Sequence, residues 1–251
     1  GFIAVKSNCS LQSYVPAIAR QFLGKPYVAS TLESADGREL ITVDLDRLDC
    51  TTFVETVGAL AQTAAEGSSS WRDFVDNLEG LRYRSGSVDG YASRLHYIAD
   101  WVIDNSSRGN ISDRTTYLAQ PDYVTKTLDF MSTHRDAYSA LKSDDEQFAR
   151  IKKVEEGLRM HRFPYVRKGR VIAGEKEVMG ALREGDIIAL TTDLGGLDVS
   201  HMAIITMVDG KPHMMHASST AGKVIVDPLT LAQYLKRSKR ATGIRILRFT
   251  L

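Results

Sequence analysis

Apolar residues recur along the chain with two different periods, and the change of period divides it. Leu11, Val15, Ile18, Ala19 and Phe22 are spaced as one face of a helix, and Gly24 and Pro26 stop it. Residues 39–45 alternate as a strand does, with Leu40, Ile41, Val43 and Leu45 supplying the apolar positions. The strongest helical stripe opens at Cys50, followed on one face by Phe53, Val54, Val57, Leu60, Ala61 and Ala64. Residues 70–160 read as mostly helical, with helices expected over 71–78, 91–103, 123–131 and 144–158. Asp144-Asp145-Glu146 suits a helix N-terminus.

From about residue 185 the period shortens to that of strands: 186–190, 199–208, 213–217, 224–226 and 243–251, with a short helix over 229–235. Asp209-Gly210 marks a tight hairpin between the second and third of these. Helices first and an antiparallel sheet last predict an α+β fold. One domain over 1–251 is expected, carrying a helical insertion at about 65–165.

Composition narrows the class of function. Lys plus Arg is 32 and Asp plus Glu is 31 in 251 residues, a formal balance of +1 that gives no reason to expect a nucleic-acid partner. The basic residues Lys236, Arg237, Lys239 and Arg240 read as a solvated helix end. No apolar run reaches the length of a membrane span. Gly1 stands where Met would, which reads as a scar of tag removal, so an export signal is expected to have preceded it. The two cysteines, Cys9 and Cys50, lack the paired spacing of a zinc site. An oxidising compartment would permit a bridge between them, and nothing in the sequence demands one.

Cys50 follows Asp49, a good N-cap residue, so the thiol is expected in the first turn of a helix. Unpaired N–H groups and the positive dipole end favour thiolate there, where reactive cysteines fall from about 8.5 to roughly 3.5–7.5 in pKa. Those N–H groups could also hold an oxyanion. On these residues alone an inert, buried thiol at the head of the stripe is an equal reading. A nucleophile needs a base. His201 stands at the mouth of an otherwise apolar strand, and His216 at the far end of its hairpin partner. Antiparallel pairing brings the two within side-chain reach, giving a line of nucleophile, base and orienting group. His213 should face the other side of its strand, and the His213-x-x-His216 pair is a weak metal signal without a third ligand.

Four segments in order carry a resemblance: Leu23-Gly24-Lys25-Pro26-Tyr27-Val28, Leu48-Asp49-Cys50-Thr51-Thr52-Phe53-Val54, Ser200-His201-Met202-Ala203-Ile204 and His216-Ala217-Ser218. Together they resemble the NlpC-type papain-like cell-wall hydrolases, over about half the chain. Thr51-Thr52 stands where that family has Ser-Gly, and the Gly-rich stretch after Tyr27 is missing. With the long insertion, the chain looks like the N-acetylmuramoyl-L-alanine amidase-like branch, once a domain of unknown function. The resemblance implies a papain-like core and a periplasmic or cell-envelope cysteine hydrolase. It maps Cys50 to the nucleophile, His201 to the base, His216 to the third polar residue and Tyr27 to the oxyanion neighbour.

Asp198 and Ser200 are expected near the substrate, although Asp198 could equally be a loop acid on the Gly195-Gly196 turn. Arg162, Phe163, Pro164, Tyr165 and Arg167 could meet a carboxylated peptide and sugar rings, or form a plain surface loop. The implied substrate is a muropeptide, cut between the lactoyl group and L-Ala by a monomer that needs no cofactor or metal. A γ-D-glutamyl–diamino-acid endopeptidase and a non-catalytic muropeptide-binding module are the alternatives.

Overall fold

A computed structural model describes residues 11–34 and 37–250. Its helices are α1 (Leu11–Gln21), α2 (Cys50–Ala65), α3 (Trp71–Arg82), α4 (Ile98–Ser107), α5 (Phe130–Thr133), α6 (Ser139–Lys142), α7 (Asp145–Leu158), α8 (Lys168–Ile172), α9 (Lys176–Ala181) and α10 (Leu231–Arg237). Its strands are β1 (Ile111–Asp113), β2 (Asp122–Thr125), β3 (Arg162–Arg167), β4 (Ile187–Thr192), β5 (Val199–Val208), β6 (Lys211–Ser218), β7 (Lys223–Thr230) and β8 (Ala241–Phe249). They form one antiparallel sheet in the order β2-β3-β8-β4-β5-β6-β7, with β1 also pairing β8.

Both faces of the sheet are covered. Ile187, Ala189, Met202, Ile204, Met215 and Leu247 lie in one core with the apolar stripes of α1 and α2. Ile188, Ala203, Ile205, Met214, Ile244 and Ile246 lie in a second, with Val171, Val178, Leu231 and Leu235 of α8, α9 and α10. This two-residue alternation follows from the pleat. A third cluster, including Tyr97, Leu128, Leu141, Ile151, Leu158 and Phe163, holds the segment between α4 and β3 together. The fold is mixed α+β, as the change of hydrophobic period predicts.

Three expectations fail. Residues 39–45 form no strand. Ile41, Val43 and Leu45 do pack against the first core, but side chains take up carbonyls of this segment: Arg82 Nη1 donates to Thr42 O at 2.6 Å and Tyr83 Oη to Leu40 O at 3.3 Å. The helix expected over 91–103 begins only at Ile98. Before it, Leu95 N–H donates to Arg82 O, and Tyr91 and Arg94 reach out to Glu33. The helix expected over 123–131 is mostly strand and loop. Asp122–Thr125 pairs with β3, and only Phe130–Thr133 is helical. Cys9, with any bridge to Cys50, lies outside the described residues, and Cys50 carries a free thiol. Among the described residues no helix is long and apolar enough to cross a membrane.

Candidate active site

Cys50 is the first residue of α2, and the turn that places it is built by its neighbours. Asp49 Oδ1 accepts the N–H groups of Thr51 at 3.0 Å and Thr52 at 2.8 Å. The Thr52 hydroxyl accepts Asp49 N–H at 2.9 Å, closing a capping box. Thr52, a departure from the family pattern, therefore has a structural use that glycine could not supply. In front of the helix, Leu48 N–H donates to Pro26 O and Val28 N–H to Leu48 O, both at 3.1 Å, while Tyr27 N–H donates to Gly222 O at 2.9 Å. Residues 24–28 are thus clamped between the start of β7 and the start of α2. Tyr27 lies close enough to Cys50 and Asp49 for their charges, added to burial, to raise its phenol.

The sulfur meets the sheet through Met202, whose backbone N–H donates to it. Burial, and then the Asp49 carboxylate, push the Cys50 thiol up to about 11, against the Met202 and Thr51 hydrogen bonds. This reverses the expectation of a depressed thiol. Asp49 occupies the Thr51 and Thr52 N–H groups, leaving that of Cys50 to favour a thiolate, and it adds a negative charge beside it.

His201 follows a β-bulge at the mouth of β5, where Leu190 pairs with His201 and Thr191 with Val199. Its Nε2 lies 2.6 Å from His216 Nδ1, with the rings edge to face. His216 is buried, its Nε2 lies 3.3 Å from Asp227 Oδ2 on β7, and Tyr234 of α10 meets its ring edge-on. Burial, with His216 beside it, pushes His201 down to about 3. Burial also lowers His216, with Asp227 opposing. Burial raises the Tyr234 phenol, helped by Asp227 and then by Cys50, so Tyr234 lies within electrostatic reach of the sulfur as well as touching His216.

Cys50, Tyr27, His201 and His216 therefore come together. Among the described residues no hydrogen bond joins the sulfur directly to an imidazole. Ser200 is exposed on the bulge. The Asp198 carboxylate accepts Ala99 N–H in the first turn of α4. It also lines a cavity of about 300 Å³ with Lys126, Phe163, Tyr165, Thr242 and Arg245. Of the Arg162–Arg167 segment, Phe163 and Tyr165 face that cavity, and Arg162 lies over the Tyr123 ring. His213 binds Asp227 O at 2.8 Å and takes no part in the histidine pair. Among the described residues no group of three His, Cys, Asp or Glu is placed to hold a metal ion.

Asp227 and Tyr234 were not singled out from sequence. Asp227 follows the Val224-Ile225-Val226 run, and only the β6–β7 pairing, in which Ile225 is the partner of His216, sets it diagonally across from that ring.

The fold has close counterparts. An N-acetylmuramoyl-L-alanine amidase from Bacteroides uniformis ATCC 8492 superposes with a TM-score of 0.88 and 38% identity, over 96% of this chain and 99% of that one. A Bacteroides fragilis protein with a provisional xylanase name superposes with a TM-score of 0.86 and 40% identity, over 93% and 100%. A Legionella pneumophila protein of family model DUF1460 shares the fold with a TM-score of 0.73 and 22% identity, over 97% and 90%. No curated protein matches the sequence significantly. The family model for AmiA-like, N-acetylmuramoyl-L-alanine amidase-like proteins matches residues 17–244, and on that extent of agreement the chain belongs to this family.

Proposed function

We propose that the protein is a cysteine amidase of peptidoglycan fragments, cutting the amide between the muramoyl lactoyl group and L-Ala. The observation that carries this reading is the seating of the Cys50 thiol. It is the first residue of a helix, held against β5 by Met202 N–H, one residue from an imidazole that is itself held by a second. A cysteine opening a helix against an antiparallel sheet that bears the histidines is the arrangement expected of an NlpC-type papain-like core. The family and the Bacteroides uniformis relative support the amide bond as target.

His201 Nε2 is committed to His216, so Nδ1 is the ring nitrogen left to serve Cys50. Burial keeps thiol and imidazole neutral before the reaction begins. As sulfur attacks the carbonyl carbon, the thiol proton passes to His201 Nδ1. The Cys50 N–H and the Tyr27 hydroxyl donate to the developing oxyanion, an effect worth about 2.7–4 kcal/mol per donor. His201 then protonates the alanine nitrogen, the C–N bond breaks, and a muramoyl thioester remains on Cys50. Water attacks it, passing its proton through His201 to the departing sulfur.

Glycoside cleavage fits the site poorly. It needs two carboxyl groups flanking the bond, one as acid and one as base or nucleophile. Here Asp49 is spent on the cap of α2 and Asp227 on His216. A peptidoglycan substrate supports a periplasmic or cell-envelope location. The test is digestion of defined muropeptides by wild type and by Cys50→Ala, with products weighed by mass spectrometry. Free peptide beginning at L-Ala supports the reading, and products cut after the γ-D-glutamyl residue would favour the endopeptidase instead. Unchanged turnover by Cys50→Ala would overturn the cysteine mechanism.

A further inference from the structure

The geometry points to Asp227 as a positioning residue that fixes the proton order of both histidines and so frees a lone pair on His201 Nδ1. The inference rests on the proposed role of His201 as base, and it reaches beyond that reading to what makes His201 a base.

Heavy-atom distances alone do not say which ring nitrogen holds a hydrogen; the acceptor at the end of the line does. A carboxylate accepts only. With Asp227 Oδ2 at 3.3 Å from His216 Nε2, the hydrogen of a neutral His216 sits on Nε2. His216 Nδ1 is then bare and accepts at 2.6 Å from His201 Nε2, which must carry its own hydrogen. His201 Nδ1 is left unprotonated. The opposite order would point the bare Nε2 of His216 at a carboxylate oxygen, lone pair against lone pair.

The carboxylate cannot turn away from this task. Its second oxygen, Oδ1, accepts Leu229 N–H at 2.8 Å, and its backbone carbonyl accepts from His213 Nδ1 at 2.8 Å. Tyr234, edge-on to His216, and the buried setting of that ring keep the histidine in register. Each oxygen of Asp227 thus has a separate acceptor duty, and only a group with two acceptor atoms can perform both.

This has an unusual consequence for substitution. In Asp227→Asn the single amide oxygen is claimed by Leu229 N–H, and the amide nitrogen, a donor, takes the place of Oδ2. It drives His216 to carry its hydrogen on Nδ1, His201 Nε2 to accept, and His201 Nδ1 to become protonated. The closer mimic therefore reverses the relay. Asp227→Ala imposes no order and leaves both tautomers open. The expected ranking is wild type, then Ala down about tenfold in kcat, then Asn down on the order of 10⁴-fold, the scale of a wrong tautomer in a triad. A merely structural role predicts the reverse, with Asn milder than Ala.

The experiment combines muropeptide turnover for the three proteins with ¹⁵N NMR of histidine-labelled enzyme. The His201 signals are identified by their loss in His201→Gln. The expected spectrum has wild-type His201 bare at Nδ1 and protonated at Nε2, with the two reversed in Asp227→Asn. A protonated Nδ1 in wild type, or Asn at least as active as Ala, would overturn the inference. Reading the wild-type spectrum needs only the assigning His201→Gln variant to fold, and no substrate to turn over. Bare Nδ1 in an enzyme that cleaves no muropeptide would support the proton order and contradict the substrate reading.

Discussion

Beneath the site, Arg82 and Glu55 form an ion pair whose loss should be costly and strongly dependent on pH. Arg82 Nε lies 2.7 Å from Glu55 Oε2, with side chains 2% and 3% exposed, and Arg82 Nη1 also holds Thr42 O. In Arg82→Met the Glu55 carboxylate stays buried without its partner, a defect worth roughly 3–5 kcal/mol. Glu55 escapes by taking a proton. Burial already holds it above its ordinary 4.5 even with Arg82 present. At about 1.36 kcal/mol per unit, keeping it neutral at pH 7 costs about 3.4 kcal/mol from that reference value, and at pH 5 only about 0.7 kcal/mol. The lost bond to Thr42 adds about 1 kcal/mol at either pH. The folded state binds the proton more tightly than the unfolded chain. Stability of the variant is therefore greatest below pH 4.5 and falls as pH rises toward the raised pKa of Glu55, with a slope approaching 1.4 kcal/mol per unit. Urea denaturation at pH 5, 6 and 7, followed by the fluorescence of the buried Trp101, measures it. The double replacement Arg82→Met with Glu55→Met should recover most of the loss and flatten the pH dependence. A single variant that costs under 1 kcal/mol at pH 7, or shows no slope, would refute the reasoning.

Three further outcomes follow from the same contacts. Because the Cys50 thiol is pushed up to about 11, iodoacetamide should label it more slowly than a free peptide thiol at pH 7, with the rate still climbing near pH 10; rapid labelling at pH 6 would contradict this. Asp198→Ala removes the acceptor of Ala99 N–H and should cost about 0.5–2 kcal/mol in thermal stability while leaving KM unchanged. A large rise in KM would instead give Asp198 the substrate contact that its sequence position suggests. Gly243 pairs with Arg167, and a Cβ there would overlap the Val166 carbonyl oxygen, so Gly243→Ala should lose about 1–3 kcal/mol by calorimetry; an unchanged Tm would show that β3 can shift freely.

What could be seen in the sequence was what local spacing decides. The stripe after Cys50 and the N-cap Asp49 place the start of α2 to the residue, since both act within a few turns. The hairpin at Asp209-Gly210 was legible because positive φ at both positions, 50° and 72°, suits those two residues. Reading the hairpin fixed which ends of β5 and β6 meet, and so the His201–His216 pair. The failures are non-local. Residues 39–45 alternate as a strand does, yet side chains from α3 and its end take up two of their carbonyls. Val124 lies opposite Phe163, a partner far along the chain that no local pattern announces. Asp227 stands two residues beyond Ile225, the partner of His216, a relation that only the pairing of β6 with β7 creates. The thiol's charge state was misjudged for a reason that was present in the sequence. The same Asp49 that caps the helix takes up the Thr51 and Thr52 N–H groups and repels a thiolate.

The central claim, a muramoyl thioester on Cys50, is tested most directly by trapping it. Wild-type enzyme mixed with an excess of a defined muropeptide and quenched in acid within milliseconds should show, by intact-protein mass spectrometry, an adduct equal to the muramoyl group without its peptide, mapped to Cys50. An adduct of peptide mass would place the cut elsewhere along the stem. Full turnover with no adduct at Cys50, or an adduct that survives in Cys50→Ala, would contradict the account.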